Sequence, residues 1–334
     1  MTIAQDLPHP VPPQAYMTWK ENWVWPALDI EQRVSTLFHF SLRPQLGEGI
    51  FTAKMSGPGW KHRYVGRSPV PRDLENFVPV RDERLALHVV ELGSRFAIEY
   101  RSDELDADFE YTGRFPTWEY HDGPMMPGDS PLGDMGRYLF HFDHQEQGLW
   151  MEASLRFKDG EMAGKDLSIS GFGNRDHSWG WRDDFTFRRH HWLCASFEDR
   201  YIQGSSMNDT FYPHGDKFGG FVSTGAGNRA VTHLDFSDAY WLEPGEPLGA
   251  LDRDVTYKVA LADGEVCTVT AHIGSDHGRH WLNARTPDRS QIYLDCQIFC
   301  DMTLHETGQR GYGVLEVGKH LEGEGIADRV GRPA

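Results

Sequence analysis

Short segments of alternating apolar and polar residues recur along the chain, and turns rich in glycine and aspartate separate them. Ser35–Leu42 alternates clearly, and Val255–Leu261 and Glu265–Ile273 flank the turn signal Asp263–Gly264. Alternation with a period of two places one row of side chains on each face of a strand. The pattern predicts roughly sixteen short strands and no helix longer than two turns, which favours an antiparallel all-β sandwich or barrel.

This number of strands exceeds what one small barrel holds, and the sequence divides naturally near residue 185. We therefore predict two calycin-like (lipocalin-like) antiparallel β-barrel domains side by side, comprising residues 31–185 and 186–334. Residues 1–30 are rich in proline and tryptophan. That composition predicts an extended arm lying on the surface.

Composition limits the partners of the protein. The chain has 334 residues, of which 39% are apolar and 25% are charged, and its formal net charge is -17. Nucleic acids and anionic membranes attract Lys and Arg, so neither is expected as a partner. Aromatic residues reach 13% and include 11 Trp, which favours an aromatic-lined pocket for an apolar small molecule. A homodimer is left open.

The N-terminal residues, the lengths of the apolar runs and the cysteines indicate the cellular compartment. The N-terminal residues have neither the basic nor the apolar region of a signal peptide, and no run approaches the ~18 apolar residues of a membrane-spanning helix. Cytoplasmic localisation is the expectation. The cysteines form no Cys-x-x-Cys pair, so we predict reduced thiols in the core. They are Cys194, Cys267, Cys296 and Cys300.

The stretch from Gly171 to Asp183 holds the densest group of chemically active residues. On an extended strand, alternate residues face the same way, so Asp176 and Ser178 would point opposite to Arg175, His177, Trp179 and Trp181. We predict that His177 and Trp179 face inward, and that Asp176 either pairs with Arg175 or bends in. The alternative is structural: a buried Arg–Asp pair that locks a turn, beside tryptophans that only pack.

The same stretch carries a resemblance to a known family. The pattern Gly171-x-Gly173-x-Arg175-Asp176-His177-Ser178-Trp179-Gly180 resembles the hydroxyneurosporene synthase superfamily, which includes carotenoid 1,2-hydratases, AttH-type lipocalin-like proteins and fungal Diels–Alderases. The segment Gly311–Glu316 resembles a late-strand motif of bacterial relatives. The resemblance covers most of the chain from about residue 30. It implies two calycin-like barrels with a ligand cavity near their junction, and hydration, cyclisation or isomerisation of apolar polyenes, terpenoids or polyketides without a cofactor.

Adding water to an alkene requires a proton donor for carbon and an environment that stabilises a carbocation. A desolvated carboxyl or an imidazolium supplies the proton, and aromatic faces stabilise the cation. Asp176 and His177 are the acid–base candidates. Glu316 is the third catalytic candidate, although it could also reach solvent or pair with an arginine. The predicted substrate-binding residues are Trp179, Trp181, Arg175, Trp192, Tyr312, Trp118 and Tyr120.

Trp118 and Tyr120 lie in the long loop between Gly113 and Gly136, which we interpret as a flap over an apolar cavity or as a linker. No cofactor is expected, because the chain has no dinucleotide fingerprint and no Walker loop. The absence of a Gly-x-Ser-x-Gly elbow argues against a Ser-His-Asp hydrolase. Metal is not expected either, since zinc-type spacings are absent, although His190–His191 together with His177 leave it open.

These observations together favour a cofactor-independent lyase or isomerase of the hydratase, dehydratase or cyclase type. Its substrate would be an apolar terpenoid, steroid-like or aromatic small molecule. The alternative hypothesis is a lipocalin-like carrier that binds such a ligand without catalysis. A carrier needs only an apolar lining, whereas an enzyme needs at least one desolvated acid at the cavity.

Overall fold

The computed structural model describes residues 3–13, 19–120, 142–181, 187–209, 217–236, 254–275, 277–282, 284–285, 288 and 290–323. By internal contacts the chain divides into two compact units. The first comprises Met1–His121 with Met126–Arg182, and the second comprises Asp183–Ala334 with Asp122–Met125. Within the described ranges there is no α-helix, and no helix has the length and hydropathy needed to cross a membrane. The all-β class with two large antiparallel sheets is confirmed.

The first unit contains an eleven-stranded sheet. Its strands are β1 (Trp19–Asp29), β2 (Val34–Arg43), β3 (Glu48–Gly57), β4 (Trp60–Pro69), β5 (Val80–Arg81), β6 (Leu85–Glu91), β7 (Arg95–Arg101), β8 (Leu105–Gly113), β9 (Trp118–Glu119), β10 (Phe142–Phe157) and β11 (Asp166–Trp181). They follow the order β4-β3-β2-β1-β11-β10-β8-β7-β6-β5, with β9 attached to β10. Short 3-10 turns occur at Ile3–Asp6 and Pro44–Leu46.

The second unit contains a ten-stranded sheet. Its strands are β12 (Phe187–Ser196), β13 (Arg200–Asp209), β14 (Lys217–Thr224), β15 (Gly227–Phe236), β16 (Val255–Leu261), β17 (Val266–His272), β18 (Gly278–Trp281), β19 (Ala284–Arg285), β20 (Gln291–Leu304) and β21 (Gln309–Glu322). Strands β12 to β17 pair in sequence, β12 also pairs with β21, and β21 with β20. Pairing of β17 with β20 closes the ring. A 3-10 turn at Ile273–Ser275 follows β17.

Strand β1 corrects one prediction. Residues 19–29 were expected to lie in a surface arm, but they form a strand between β2 and β11. Its odd-numbered residues, including Trp19, Trp23 and Trp25, are buried in the core of the first unit. Proline at position 26 leaves the strand intact, although proline cannot donate a ladder hydrogen bond. The aromatic alternation therefore decides the conformation of this segment.

The cysteine prediction is confirmed. All four cysteines are free and buried. Cys296 and Cys300 lie four residues apart on β20, so their side chains share a face. Both belong to the apolar core of the second unit, together with Cys267.

Candidate functional site

Strand β11 carries the predicted site stretch and lies between β1 and β10. His177 lies opposite Trp23 on one side and opposite Gln145 on the other. Arg175, His177 and Trp179 are buried, with 1%, 0% and 6% of their surface exposed, and Trp179 belongs to the core of the unit. Asp176 points to the opposite face. Because successive side chains of a strand face opposite ways, the motif lies partly in the core of the unit and partly on the opposite face of β11.

Arg175 pairs with the N-terminal segment. Its Nη1 lies 2.7 Å from Oδ1 of Asp6, and its Nε donates to Oε1 of Gln147 at 2.9 Å. Its Nη2 donates to the Thr117 hydroxyl at 3.0 Å, and the guanidinium lies 4.6 Å from the ring centroid of Phe96. Burial lowers the pKa of Arg175, and the Asp6 carboxylate opposes that effect. The alternative in which Asp176 pairs with Arg175 is wrong, because the carboxylate partner of Arg175 is Asp6.

His177 is held between Glu21 and Gln145. Its Nε2 lies 3.0 Å from Oε1 of Glu21, and its Nδ1 lies 3.2 Å from the amide nitrogen of Gln145. Burial lowers the pKa of His177 to about 4, although the hydrogen bond to Glu21 acts in the other direction. The neutral ring thus donates from Nε2 to the carboxylate and accepts at Nδ1 from the amide.

Glu21 is also fully buried, and burial alone would raise its pKa. Hydrogen bonds from His177 and His9 outweigh that effect, so the pKa of Glu21 is lowered and the carboxylate stays ionised. The His9 backbone N–H lies 3.1 Å from both carboxylate oxygens, and its Nδ1 lies 2.8 Å from Oε1. The His9 ring stacks on Trp179 with centroids 3.9 Å apart.

Sequence reasoning missed Asp6, His9 and Glu21. The first two lie in the proline-rich segment, where no periodic pattern gives them a partner. Glu21 had a usable signal, because it occupies an odd-numbered position between Trp19 and Trp23. A carboxylate in an inward-facing row requires a buried partner, and the inward histidine of β11 supplies it.

A cavity of about 300 Å³ borders the same N-terminal segment. It is lined by Asp6, Leu7 and Pro8 and by the segments Val78–Val80 and Leu87–Val89. Most of these side chains are apolar, and the volume is at the small end of the range for ligand pockets. The cavity is lined by none of the predicted catalytic residues.

A second group of side chains lies on the opposite face of β10 and β11. His144 Nε2 lies 2.9 Å from Oδ2 of Asp176 and 3.2 Å from Oε1 of Glu146. The Tyr120 hydroxyl donates to Glu146 Oε1 at 3.0 Å, and its ring stacks on His144 with centroids 4.3 Å apart. We call these four residues the Asp176 cluster. Glu146 is fully buried, whereas the side chains of His144 and Asp176 keep 13% and 14% of their surface exposed.

Two of the predicted substrate-binding residues, both from the long loop, lie at this cluster. Trp118 lies opposite Glu146 in the β9–β10 pairing and is buried, and Tyr120 follows on the same face. The rest of the predicted flap, from residue 121 onward, lies outside the described residues. The backbone of Trp181 ends β11, but its side chain is also outside the described part.

The third predicted catalytic residue, Glu316, lies in the second unit. His190 Nε2 is 2.6 Å from Oε1 of Glu316, and the Gln297 amide donates to the other carboxylate oxygen. Trp192 lies opposite Glu316 on the neighbouring strand and is buried. Tyr312 lies four residues before Glu316 on the same strand and is half-buried. The described contacts give Glu316 a histidine partner, and its side chain keeps 15% of its surface exposed. Its catalytic role stays a prediction.

Three groups present ligand atoms within 4.8 Å of one another and could hold a metal ion. They are His9, Glu21 and His177; His144, Glu146 and Asp176; and His190, Asp295 and Glu316. Each combines imidazole with carboxylate, a donor set that suits several divalent metals. In the first and third groups these atoms also hydrogen-bond to one another.

The fold is shared with solved structures of low sequence identity. Kievitone hydratase from Nectria haematococca superposes with a TM-score of 0.59 at 13% identity, over 95% of this chain and 92% of that chain. An AttH-like protein from Nitrosomonas europaea gives 0.56 at 13% identity, over 91% and 95%. CghA gives 0.55 at 9% identity, over 92% and 89%, and it has also been solved with Sch210972.

At such identities the likeness to these structures establishes the fold. The protein is therefore an all-β protein that shares the fold of these structures. The chain belongs to the family described as Domain of unknown function (DUF7064), whose model matches residues 2–321. No curated protein matches the sequence.

Proposed function

We propose that this chain is a cofactor-independent lyase or isomerase of the hydratase or cyclase type, and that the Asp176 cluster is its acid–base group. The observation that carries the proposal is the position of His144 between two carboxylates, 2.9 Å from Asp176 and 3.2 Å from Glu146. One proton can be exchanged there between a base and two acids on a partly exposed face. The name of the structural neighbour kievitone hydratase supports hydration as the reaction class.

In the proposed hydration, the Asp176–His144 pair donates a proton to one alkene carbon, and the π electrons form the new C–H bond. The other carbon becomes a cation, water adds to it through oxygen, and the proton released returns to the pair. Dehydration is the reverse. The negative charge of the cluster stabilises the cation in this low-dielectric environment. The faces of Trp118 and Tyr120 would add cation–π attraction of about 0.5–2 kcal/mol each.

In this proposal His177 is a positioning residue. Both of its ring nitrogens have partners, Glu21 and Gln145, and its side chain has no exposed surface. A group that protonates substrate must reach it within hydrogen-bond distance. His177 instead fixes β11 against β1, which holds Asp176 in place on the other face of the same strand.

A carrier remains the second candidate function. The cavity beside Asp6, Leu7 and Pro8 supports it, because its remaining lining is largely valine and leucine. Asp6, the acid in this lining, is ion-paired with Arg175, so the lining suits binding without catalysis. An enzyme and a carrier differ in one measurable property, which is whether the bound compound leaves unchanged.

The test begins with mass spectrometry of hydrophobic compounds extracted from the purified full-length protein. The compounds found, and kievitone as a trial substrate, are then incubated with the protein in H₂O and in D₂O. Hydration adds the mass of one water, and in D₂O the new C–H bond carries deuterium. Cyclisation or isomerisation gives products of unchanged mass that chromatography separates.

Asp176→Asn and His144→Gln should reduce turnover by about 10²-fold or more, the scale of general acid–base catalysis. Asp166→Asn is the matched control, because Asp166 begins the same strand and its side chain is 79% exposed. Wild-type turnover in Asp176→Asn would disprove the catalytic assignment. Recovery of every bound compound unchanged would favour the carrier.

A further inference from the structure

The outward face of the second unit contains an ordered chain of three ionisable side chains. His190 lies on β12, Tyr293 on β20 and Glu316 on β21, which is paired with both of those strands. These side chains point away from the barrel core, yet Tyr293 is only 5% exposed. The side chains of His190 and Glu316 keep 14% and 15% of their surface exposed. The group is therefore largely desolvated but open on one side.

The hydrogen bonds give the chain a direction. An ionised Glu316 can only accept, so His190 donates to it from Nε2 at 2.6 Å. The other nitrogen of neutral His190, Nδ1, is then an acceptor, and its partner is the Tyr293 hydroxyl, which donates. Gln297 donates to the second oxygen of Glu316 and fixes the carboxylate. The order carboxylate–imidazole–hydroxyl is that of a hydrolase triad, with a phenol in place of serine.

Gly318 provides independent support that this contact is built into the strand. It lies opposite His190 on β21. A Cβ atom at this position would lie 2.2 Å from Cε1 of His190 and 2.5 Å from the Tyr293 hydroxyl oxygen. Gly318 is not among the glycines of positive φ, so its backbone conformation does not require glycine. The missing side chain makes the room in which His190 and Tyr293 meet.

We propose that Tyr293, His190 and Glu316 form a second proton-transfer site, which takes a small molecule with an acidic O–H or C–H group, such as a phenol or a 1,3-dicarbonyl compound. The ligand gives its proton to the Tyr293 oxygen while Tyr293 gives its own proton to Nδ1 of His190. The imidazolium formed is stabilised by Glu316. Return of a proton to a different ligand atom completes a tautomerisation, and no electron acceptor is needed.

This proposal does not depend on the Asp176 cluster, and its test uses a different probe. The full-length protein is titrated with 4-nitrophenol at a pH below the pKa of the free probe, and the absorbance is recorded. Neutral and ionised 4-nitrophenol have different colours, so proton transfer to the site is seen directly. We expect the phenolate band to appear on binding to the wild type.

Tyr293→Phe and Glu316→Gln should each reduce that band by about tenfold or more, because each removes one member of the relay. Tyr257→Phe is the matched control, since Tyr257 also hydrogen-bonds a histidine, His191, but lies fully buried in the barrel core. Gly318→Ala should also remove the band, whereas Gly225→Ala should not, because the added Cβ there meets nothing within 4 Å.

Several outcomes would overturn the proposal. One is binding of 4-nitrophenol to the wild type without the phenolate band, or no binding at all. Another is a band of wild-type strength in Tyr293→Phe. Thermal unfolding of each variant accompanies the titration, and Tyr293→Phe keeps the ring, so a folded variant that has lost only the hydroxyl decides the question. Loss of turnover at the Asp176 cluster would leave this result unchanged.

Discussion

Arg175 and Asp176 are consecutive in the chain, yet their side chains point to opposite faces of β11 and bind different partners. Arg175 meets Asp6 inside the first unit at 2.7 Å, and Asp176 meets His144 on the other face at 2.9 Å. The inward partner ties the N-terminal segment to the core. The outward partner belongs to a group that can exchange protons. One strand thus serves stability on one face and the proposed chemistry on the other.

Asp6→Ala should lower the free energy of unfolding by about 3–5 kcal/mol, because it leaves the buried Arg175 without its counter-charge. Urea denaturation of the variant and the wild type gives this difference. The control is Glu48→Ala, since Glu48 pairs with Arg67, whose side chain is 64% exposed. Exposed pairs contribute about 0–1 kcal/mol. Equal effects of the two substitutions would contradict the buried-pair interpretation.

A double variant separates loss of the pair from loss of packing. Asp6→Ala combined with Arg175→Met removes both charges, so the cost of an unpaired buried cation disappears. The double variant should be more stable than Asp6→Ala alone, although it also loses the contacts of Arg175 with Gln147 and Thr117. The measured quantity is the interaction energy of the double-mutant cycle, which compares the wild type, the two single variants Asp6→Ala and Arg175→Met, and the double variant. A purely additive result would show that Asp6 and Arg175 do not interact.

Lowering the pH should destabilise the protein at pH values above the range in which most carboxylates take up protons. Burial lowers the pKa of His177 to about 4 and that of His191 to about 3. An unfolded histidine has a pKa of about 6.5. Between pH 6.5 and about 4 the unfolded chain therefore binds more protons than the folded one, so stability falls as pH falls. Each histidine contributes up to about 1.4 kcal/mol per pH unit.

The measurement is the free energy of unfolding across pH 7 to 4. His191→Phe removes one of the two buried titrating rings, so its stability should depend less steeply on pH than that of the wild type. His88→Ala is the control, because the side chain of His88 is 37% exposed. A wild-type stability that stayed constant over this range would contradict the burial of neutral histidine.

The alternation of Arg175, Asp176 and His177 was enough to predict which side chains share a face, because a strand has only two faces. The antiparallel all-β class was predicted from the same two-residue period. The position of β1 was missed, since Pro26 and the flanking prolines gave the segment the composition of an arm. Its inward tryptophans carried the stronger signal, because burying several aromatic rings outweighs one missing ladder hydrogen bond.

The partners of the site residues could not be predicted in the same way. Asp6 and Arg175 are separated by 169 positions, and Glu21 and His177 by 156. No local pattern specifies such contacts. The Glu21 contact arises when β1 pairs with β11, and the Asp6 contact arises when the N-terminal 3-10 turn packs beside Arg175. His144 and Glu146 were missed for a related reason. In the sequence they follow a long segment rich in glycine and proline, and only their register against Asp176 reveals a common face.

Gly313→Ala should destabilise the second unit by at least about 1–3 kcal/mol, the usual cost of overpacking. A Cβ atom at Gly313 would lie 1.8 Å from the carbonyl oxygen of Cys194. Backbone of the paired strand cannot move aside without loss of ladder hydrogen bonds. The control is Gly225→Ala, which meets open space and should be neutral or slightly stabilising. Thermal unfolding midpoints give both values, and equal midpoints would contradict the close approach.

His177→Gln and His177→Leu should distinguish a positioning residue from a proton donor. Glutamine can still donate an amide N–H toward Glu21, whereas leucine leaves that buried carboxylate with His9 alone. We expect His177→Leu to lose about 3–5 kcal/mol of stability and His177→Gln to lose less. If Asp176 and His144 move the proton, folded His177→Gln should turn over substrate at a rate close to the wild type. A loss of about 10²-fold in a folded His177→Gln would instead make His177 the acid–base group. Turnover is therefore measured per folded molecule, with the folded fraction taken from the denaturation curve of each variant.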